Sequence, residues 1–219
     1  MGIAQRFDLP PAWEPQPGPQ SYLLACPIED VFFGGARGGG KSDALIGDWL
    51  NHWYTYGKAA NGIIFRRTLT EMEEIEARML EVYPAVGAVY RSGKKTWVFP
   101  GGARLKLRYL ERDADASRYQ GHGYTWVGVD EAGNFPSPDP IDKLRAAMRT
   151  GGGVPCVMRL TGNPGGVGHN WLKARYIDPA TPMVPHACRE TGIRRVFIPS
   201  KLSDNAKLSD PDAYVRRLR

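Results

Sequence analysis

Gly35-Ala36-Arg37-Gly38-Gly39-Gly40-Lys41-Ser42 fits the pattern G-x-x-x-x-G-K-[ST], and the segments on either side of it leave few folds open. Before the glycines stands the apolar run Val31-Phe32-Phe33. After them Ala44, Leu45, Ile46, Trp49, Leu50 and Trp53 recur at helical spacing, with Gly57 as a stop. A strand, a glycine loop and a helix in that order make a phosphate cradle. The glycines let the backbone curl until several N–H groups face one anion, and the helix N-terminus adds the positive end of its dipole. Lys41 is then expected to reach the β- and γ-phosphates of ATP and Ser42 to ligate Mg2+. Gly35, Ala36, Arg37, Gly38, Gly39 and Gly40 supply the loop, with the Arg37 side chain facing either solvent, DNA or the nucleotide.

A second apolar run, Tyr124 to Val129, ends in Asp130-Glu131, as a buried strand would that delivers acids at its C-terminal end. Asp130 is expected to hold Mg2+ through water and Glu131 to polarise an attacking water. Between Lys41 and Asp130 the sequence predicts three elements. They are a strand over 62–65, a helix capped by Thr70 with Glu73 three residues on, and a hairpin over 95–110 turning at Pro100-Gly101-Gly102. That long interval implies a strand lying between the two motif strands in the sheet. A helix from Asp139 to Arg149 and strands over 154–161 and 195–199 follow. Leu160-Thr161-Gly162-Asn163-Pro164 ends a strand, where Thr161 or Asn163 is placed to hydrogen-bond a γ-phosphate or the attacking water; an ordinary Asn-Pro turn is the alternative. Alternating strands and helices predict an α/β fold with a mostly parallel central sheet flanked by helices. This is the pattern of a P-loop NTPase of the additional-strand, catalytic-glutamate class.

At 219 residues the chain is long enough for one large domain. Residues 1–20 read as a Pro-rich arm, extended rather than helical over 8–20, and 21–219 as the ATPase domain; a helix is expected from Ser209 to Arg219. No apolar run approaches the roughly 18 residues of a membrane span, and the opening residues do not read as a secretory signal, so a soluble, cytoplasmic protein without membrane contact is expected. Cys26, Cys156 and Cys188 are widely spaced, against a disulfide framework or thiolate zinc site. The net charge of +6 points to an anionic partner, nucleotide or nucleic acid. Arg66-Arg67 and Lys94-Lys95 are candidate DNA-phosphate contacts or solvated surface.

Taken in order, PGPQSYLLA, VFFGGARGGGKSDAL, IIFRRT, YTWVGVDEAG and LTGNPGG resemble the large terminase subunit of tailed bacteriophages over about residues 17 to 170. The resemblance implies a Mg-dependent ATPase that assembles as a ring on the portal protein of a procapsid and pumps double-stranded DNA inside. It implies a small terminase subunit as partner, an isolated domain that is monomeric, and the cytoplasm of the infected bacterial host as location. It also implies residue roles. Gln20 would contact adenine, Arg37 would stabilise the γ-phosphate within its own subunit, and Thr161 to Asn163 would couple hydrolysis to movement. Arg118 would be the arginine offered to a neighbour's nucleotide, with Arg112 and Arg108 as nearby alternatives. The family's C-terminal nuclease pattern is missing here, which predicts a chain truncated at Arg219 and without nuclease activity. Two other functions compete: another additional-strand motor such as a helicase or translocase, and a nucleotide-controlled assembly module with little hydrolysis.

Overall fold

The computed structural model describes residues 13–119, 121–150 and 152–207, together with Arg216. The first twelve residues of the expected arm and, but for Arg216, the helix expected from Ser209 lie outside that range. The nine strands among the described residues are β1 (Asp30–Gly35), β2 (Asn61–Arg66), β3 (Val89–Arg91), β4 (Thr96–Val98), β5 (Arg104–Tyr109), β6 (Trp126–Val129), β7 (Val157–Gly162), β8 (His186–Ala187) and β9 (Arg194–Ser200). They form one sheet in the order β3-β4-β5-β2-β6-β7-β1-β9-β8. From β5 to β9 all neighbours run parallel, while β3 and β4 at one edge and β8 at the other pair antiparallel. β2, β6 and β7 are buried almost throughout, as a sheet covered on both faces requires.

Helices α2 (Lys41–Tyr56) and α3 (Leu69–Val82) cover one face, where Trp49, Met72, Met79, Trp97, Phe99 and Trp126 share a core. Helix α4 (Asp139–Ala146) and the turn α5 (His169–Leu172) cover the other with Phe135, Ile141, Leu144 and Tyr176. Trp49 reaches the sheet because Gly62 leaves room: a Cβ there would lie 2.3 Å from the indole ring.

Several local expectations shift. α3 begins two residues early, with Thr68 rather than Thr70 accepting from the Glu71 N–H; Glu71 returns its carboxylate to the Arg67 N–H at 3.2 Å. α4 is preceded by Pro138 and stops at Ala146, short of Arg149. Of the arm expected to be extended over 8–20, the described part has no regular structure over 13–16 and turns at Pro17-Gly18, and Pro19, whose fixed φ suits a first helical turn, opens α1 (Pro19–Ala25). Trp13 of that arm is buried in the core against Gly47. The strand between the motif strands β1 and β6 is β7, which follows Asp130 in sequence. The elements between Lys41 and Asp130 instead widen the sheet beyond β6. No helix among the described residues is long and apolar enough to cross a membrane.

Candidate functional site

The parallel strands β2, β6, β7 and β1 all end on one side of the sheet, and their ends carry Arg66, Asp130, Gly162 and Gly35 into one neighbourhood. The loop after β1 closes around Lys41, whose Nζ donates to Ala36 O at 2.6 Å and Gly35 O at 3.4 Å. Gly35 is required by contact: a Cβ would lie 1.9 Å from Ser200 O, which accepts from the Ala36 N–H. Burial depresses the Lys41 pKa, opposed by the charges of Glu131 and Asp130.

Asp130 is fully buried and held on both oxygens. Ser42 Oγ donates to its Oδ1 at 3.1 Å, and Thr161 Oγ1 donates to the same atom. Arg66 Nε donates to its Oδ2 at 2.7 Å, while Arg66 Nη1 pairs with Glu74 at 2.9 Å. Glu131 follows in a left-handed conformation, φ 52, that non-glycine residues adopt rarely. Its N–H donates to Thr161 Oγ1 at 3.2 Å, and both its carboxylate oxygens accept from Asn163 Nδ2 at 3.0 and 2.9 Å. Burial first, and then the charge of Asp130, raise its pKa above the usual carboxylate range, against the pull of Lys41, Arg66 and Asn163.

Lys41, Ser42, Arg66, Glu131 and Asn163 border a cavity of about 710 Å³, with Arg37 to Gly40, Asp43 and Asn205 among its other lining residues, while Asp130 lies behind Ser42 and is not in the wall. The structure therefore brings Arg37, Gly38, Gly39, Gly40, Lys41, Ser42, Glu131 and Asn163 together at one opening. Thr161 does not face it; the hydroxyl stands behind the two acids and fixes both. Gln20 does not face it either. Its amide is spent inside the chain, donating to Gly40 O at 2.8 Å and accepting from the Gln16 N–H at 2.8 Å. Arg118 lies outside the cavity on the 3-10 run Asp113–Tyr119, its side chain 79% exposed and paired with Asp115 at 3.4 Å. The sequence reading missed Arg66 as a site residue and treated it as a possible DNA contact. It is buried on Asp130, and the parallel pairing of β2 with β6 is what places it there.

Ser42 and Asp130 offer Mg2+ hard oxygen atoms, with only the Ser42 hydroxyl on the cavity wall; Asp130, held behind it by Ser42, Thr161 and Arg66, would act on the ion through water. Among the described residues there is no cluster of three or more His, Cys, Asp or Glu side chains that could hold a different metal by itself.

A second cavity, of about 580 Å³, opens on the β3–β5 edge, and its lining includes Arg91, Lys94, Lys95, Arg104, Lys106 and Arg108. Lys95 pairs with Glu76 at 3.0 Å. Burial, and then crowding by Arg108 and Arg104, depress the Lys106 pKa, which marks a surface short of negative charge. Arg67 is occupied elsewhere, with Asp113 at 2.8 Å and over the Phe135 ring.

A model of the N-terminal part of the T4likevirus-type terminase large subunit matches residues 32–169. Among solved structures, the large terminase of a thermophilic bacteriophage resembles this chain with a TM-score of 0.72 at 16% identity, covering 94% of this chain and 51% of that one. The same phage protein in complex with ATP-gamma-S gives a TM-score of 0.63 at 16% identity, covering 93% and 49%. The large terminase ATPase domain of Thermus phage P74-26 gives 0.59 at 15% identity, covering 96% and 94%. The chain thus spans about half the length of the first of these proteins. At these identities the likeness speaks for the fold. No curated protein matches the chain.

Proposed function

The chain belongs to the terminase large-subunit family, and on that premise we propose that it is an ATPase domain whose hydrolysis of ATP drives double-stranded viral DNA into a procapsid. One observation carries the reading. Ser42, in the first turn of the helix after the glycine loop, and Asp130, which directly follows β6, meet at 3.1 Å, with Glu131 on the same cavity wall as Ser42.

The loop N–H groups and the α2 N-terminus receive the triphosphate, and Lys41 leaves its loop carbonyls to meet the β- and γ-phosphates. Ser42, and Asp130 through water, would hold Mg2+, which supplies charge compensation for the phosphates. Glu131 takes a proton from a water as that water's oxygen bonds to the γ-phosphorus and the bond to the bridging oxygen of ADP breaks. Asn163, bonded to both oxygens of Glu131, keeps the carboxylate charged and aimed. It is the group on β7's end placed to respond when the γ-phosphate departs. Arg37 at the cavity rim adds positive charge from the same subunit, and Arg118 points outward to serve a neighbour. Gln20, engaged with Gly40, supports the loop from behind.

The partners on this reading are duplex DNA met through its phosphates, the portal protein, the small terminase subunit and further copies in a ring, in the cytoplasm of an infected bacterium. The cationic cavity on the β3–β5 edge supports the DNA component.

Calorimetry and phosphate release test the core of the reading together. Lys41→Ala should lose ATP affinity by at least about tenfold, since the triphosphate loses its main compensating cation, whereas Glu131→Gln should bind ATP and lose turnover by about 10² to 10⁴. Equal ATP affinity in Lys41→Ala, or unchanged turnover in Glu131→Gln, would refute the assignment.

A further inference from the structure

Two side chains from distant parts of the chain hold carbonyls of the glycine loop. Gln20 on α1 holds Gly40 O, and Asn205, just past the 3-10 turn Leu202–Asp204 that follows β9, donates from Nδ2 to Gly38 O at 2.5 Å. The neighbours of Asn205 permit only this amide orientation. Its Oδ1 accepts from Gln16 Nε2 at 2.9 Å and from the Lys207 N–H at 3.2 Å, so the donor end is left for the loop. Gln16 is itself buried. Arm, loop and the segment after β9 thus meet in one chain of amides.

A trans peptide is planar, with its C=O and the following N–H pointing in opposite directions. Holding the Gly38 carbonyl on one side therefore fixes the Gly39 N–H on the other. Gly38 and Gly40 stand at φ 77 and φ 70, and glycine passes readily between such conformations and their mirror images. The Gly40 plane is oriented by the first turn of α2, whose Ala44 N–H donates to Gly40 O at 3.0 Å, with Gln20 as a second donor; for the Gly38 plane the anchor is the Asn205 side chain.

We propose that Asn205 is a positioning residue for triphosphate binding, presetting the Gly39 N–H toward the phosphates as the first turn of α2, joined by Gln20, presets the Lys41 N–H. The inference rests on the reading of the loop as a triphosphate cradle. It deepens that reading by making phosphate affinity depend on residues 201–207. Preorganised donors cost no rearrangement when the anion arrives, which is why their orientation appears as affinity.

The test is calorimetric titration of the full chain and its variants with ATP, GTP and tripolyphosphate, with melting curves alongside. Asn205→Ala should weaken ATP and tripolyphosphate in parallel by about three- to tenfold, the loss of one hydrogen bond, and leave the ratio of ATP to GTP affinity unchanged. Asn205→Asp, which sets an acceptor against the Gly38 carbonyl, should weaken both ligands at least as much while melting normally. Tripolyphosphate affinity equal to the parent's in both variants overturns the inference, and so does a loss confined to ATP, which would make Asn205 a base contact. Lys41→Ala separates the two levels: if it loses tripolyphosphate and the Asn205 variants do not, the positioning role fails and the cradle stands. A parent chain that binds neither ATP nor tripolyphosphate refutes both.

Discussion

Glu131 occupies an uncommon backbone conformation, is largely removed from water and sits next to a second carboxylate, so its negative charge is held at some cost. Two outcomes follow from the raised pKa. As a base it must be ionised, so the acid limb of the pH profile for ATP hydrolysis should lie above the usual glutamate range. Asn163→Ala, which removes the donor to both carboxylate oxygens, should move that limb further up. A limb unmoved by Asn163→Ala would show that Glu131 is not the titrating base. A carboxyl whose folded pKa is raised adds stability below its unfolded pKa and loses it as pH rises through the folded value. Glu131→Gln should therefore raise the melting temperature at pH 7 and give no gain below pH ~4; equal gains at both pH values would contradict the assignment. The two acids were legible because they follow directly on an apolar run. Arg66 and Asn205 were not, since each meets its partner far along the chain, 64 and 167 positions away, through sheet pairing and chain return that leave no local pattern.

Among the elements, β1, α2, β2, β6 and the hairpin of β4 and β5 were legible because each carries its own period and its own punctuation by glycine or proline. Strand order was harder. The presence of a strand between β1 and β6 was anticipated, but the long interval before Asp130 was the wrong warrant, since that strand, β7, comes after it and the interval builds the sheet's far edge. Thr70 and Glu73 offered the same cap spacing as Thr68 and Glu71, and the backbone chose the pair nearer β2. The 3-10 run Asp113–Tyr119 carries Arg118 outward, paired with Asp115 one turn away, a surface pair worth little. On the proposed reading it serves a neighbour's nucleotide, where such an arginine can contribute roughly 10³ to 10⁵ in rate. In a ring-forming preparation, Arg118→Ala and Glu131→Gln should each be inactive, and mixed rings should recover part of the turnover. The Arg118→Ala subunit keeps a whole site and borrows its arginine. Demonstrably mixed rings without recovery would remove Arg118 from the role and leave Arg112 as the next candidate.

At the scale of the whole molecule, the nucleotide cavity and the cationic cavity are built on the same sheet, joined through β2 and β5, which pair along six residues. Net charge predicted an anionic partner but not where it would dock. The place proposed for it is visible only in the fold, where the β3–β5 edge gathers Arg91, Lys94, Lys95, Arg104, Lys106 and Arg108 around one opening. Binding to duplex DNA should therefore be indifferent to sequence and fall steeply with salt. Lys106→Ala and Arg108→Ala should each reduce the slope of log affinity against log salt by about 1. Slopes equal to the parent's would move the DNA track elsewhere. One further property of this sheet concerns copies meeting one another. The strands at its two margins are β3, with three residues, and β8, with two. A long bare margin would offer any adjacent copy a ladder of N–H and C=O groups and invite irreversible zippering. The β3 margin, ending in Arg91 and followed by Lys94, is too short to offer that ladder, so two copies meeting along it can touch, slip and part without fusing their sheets.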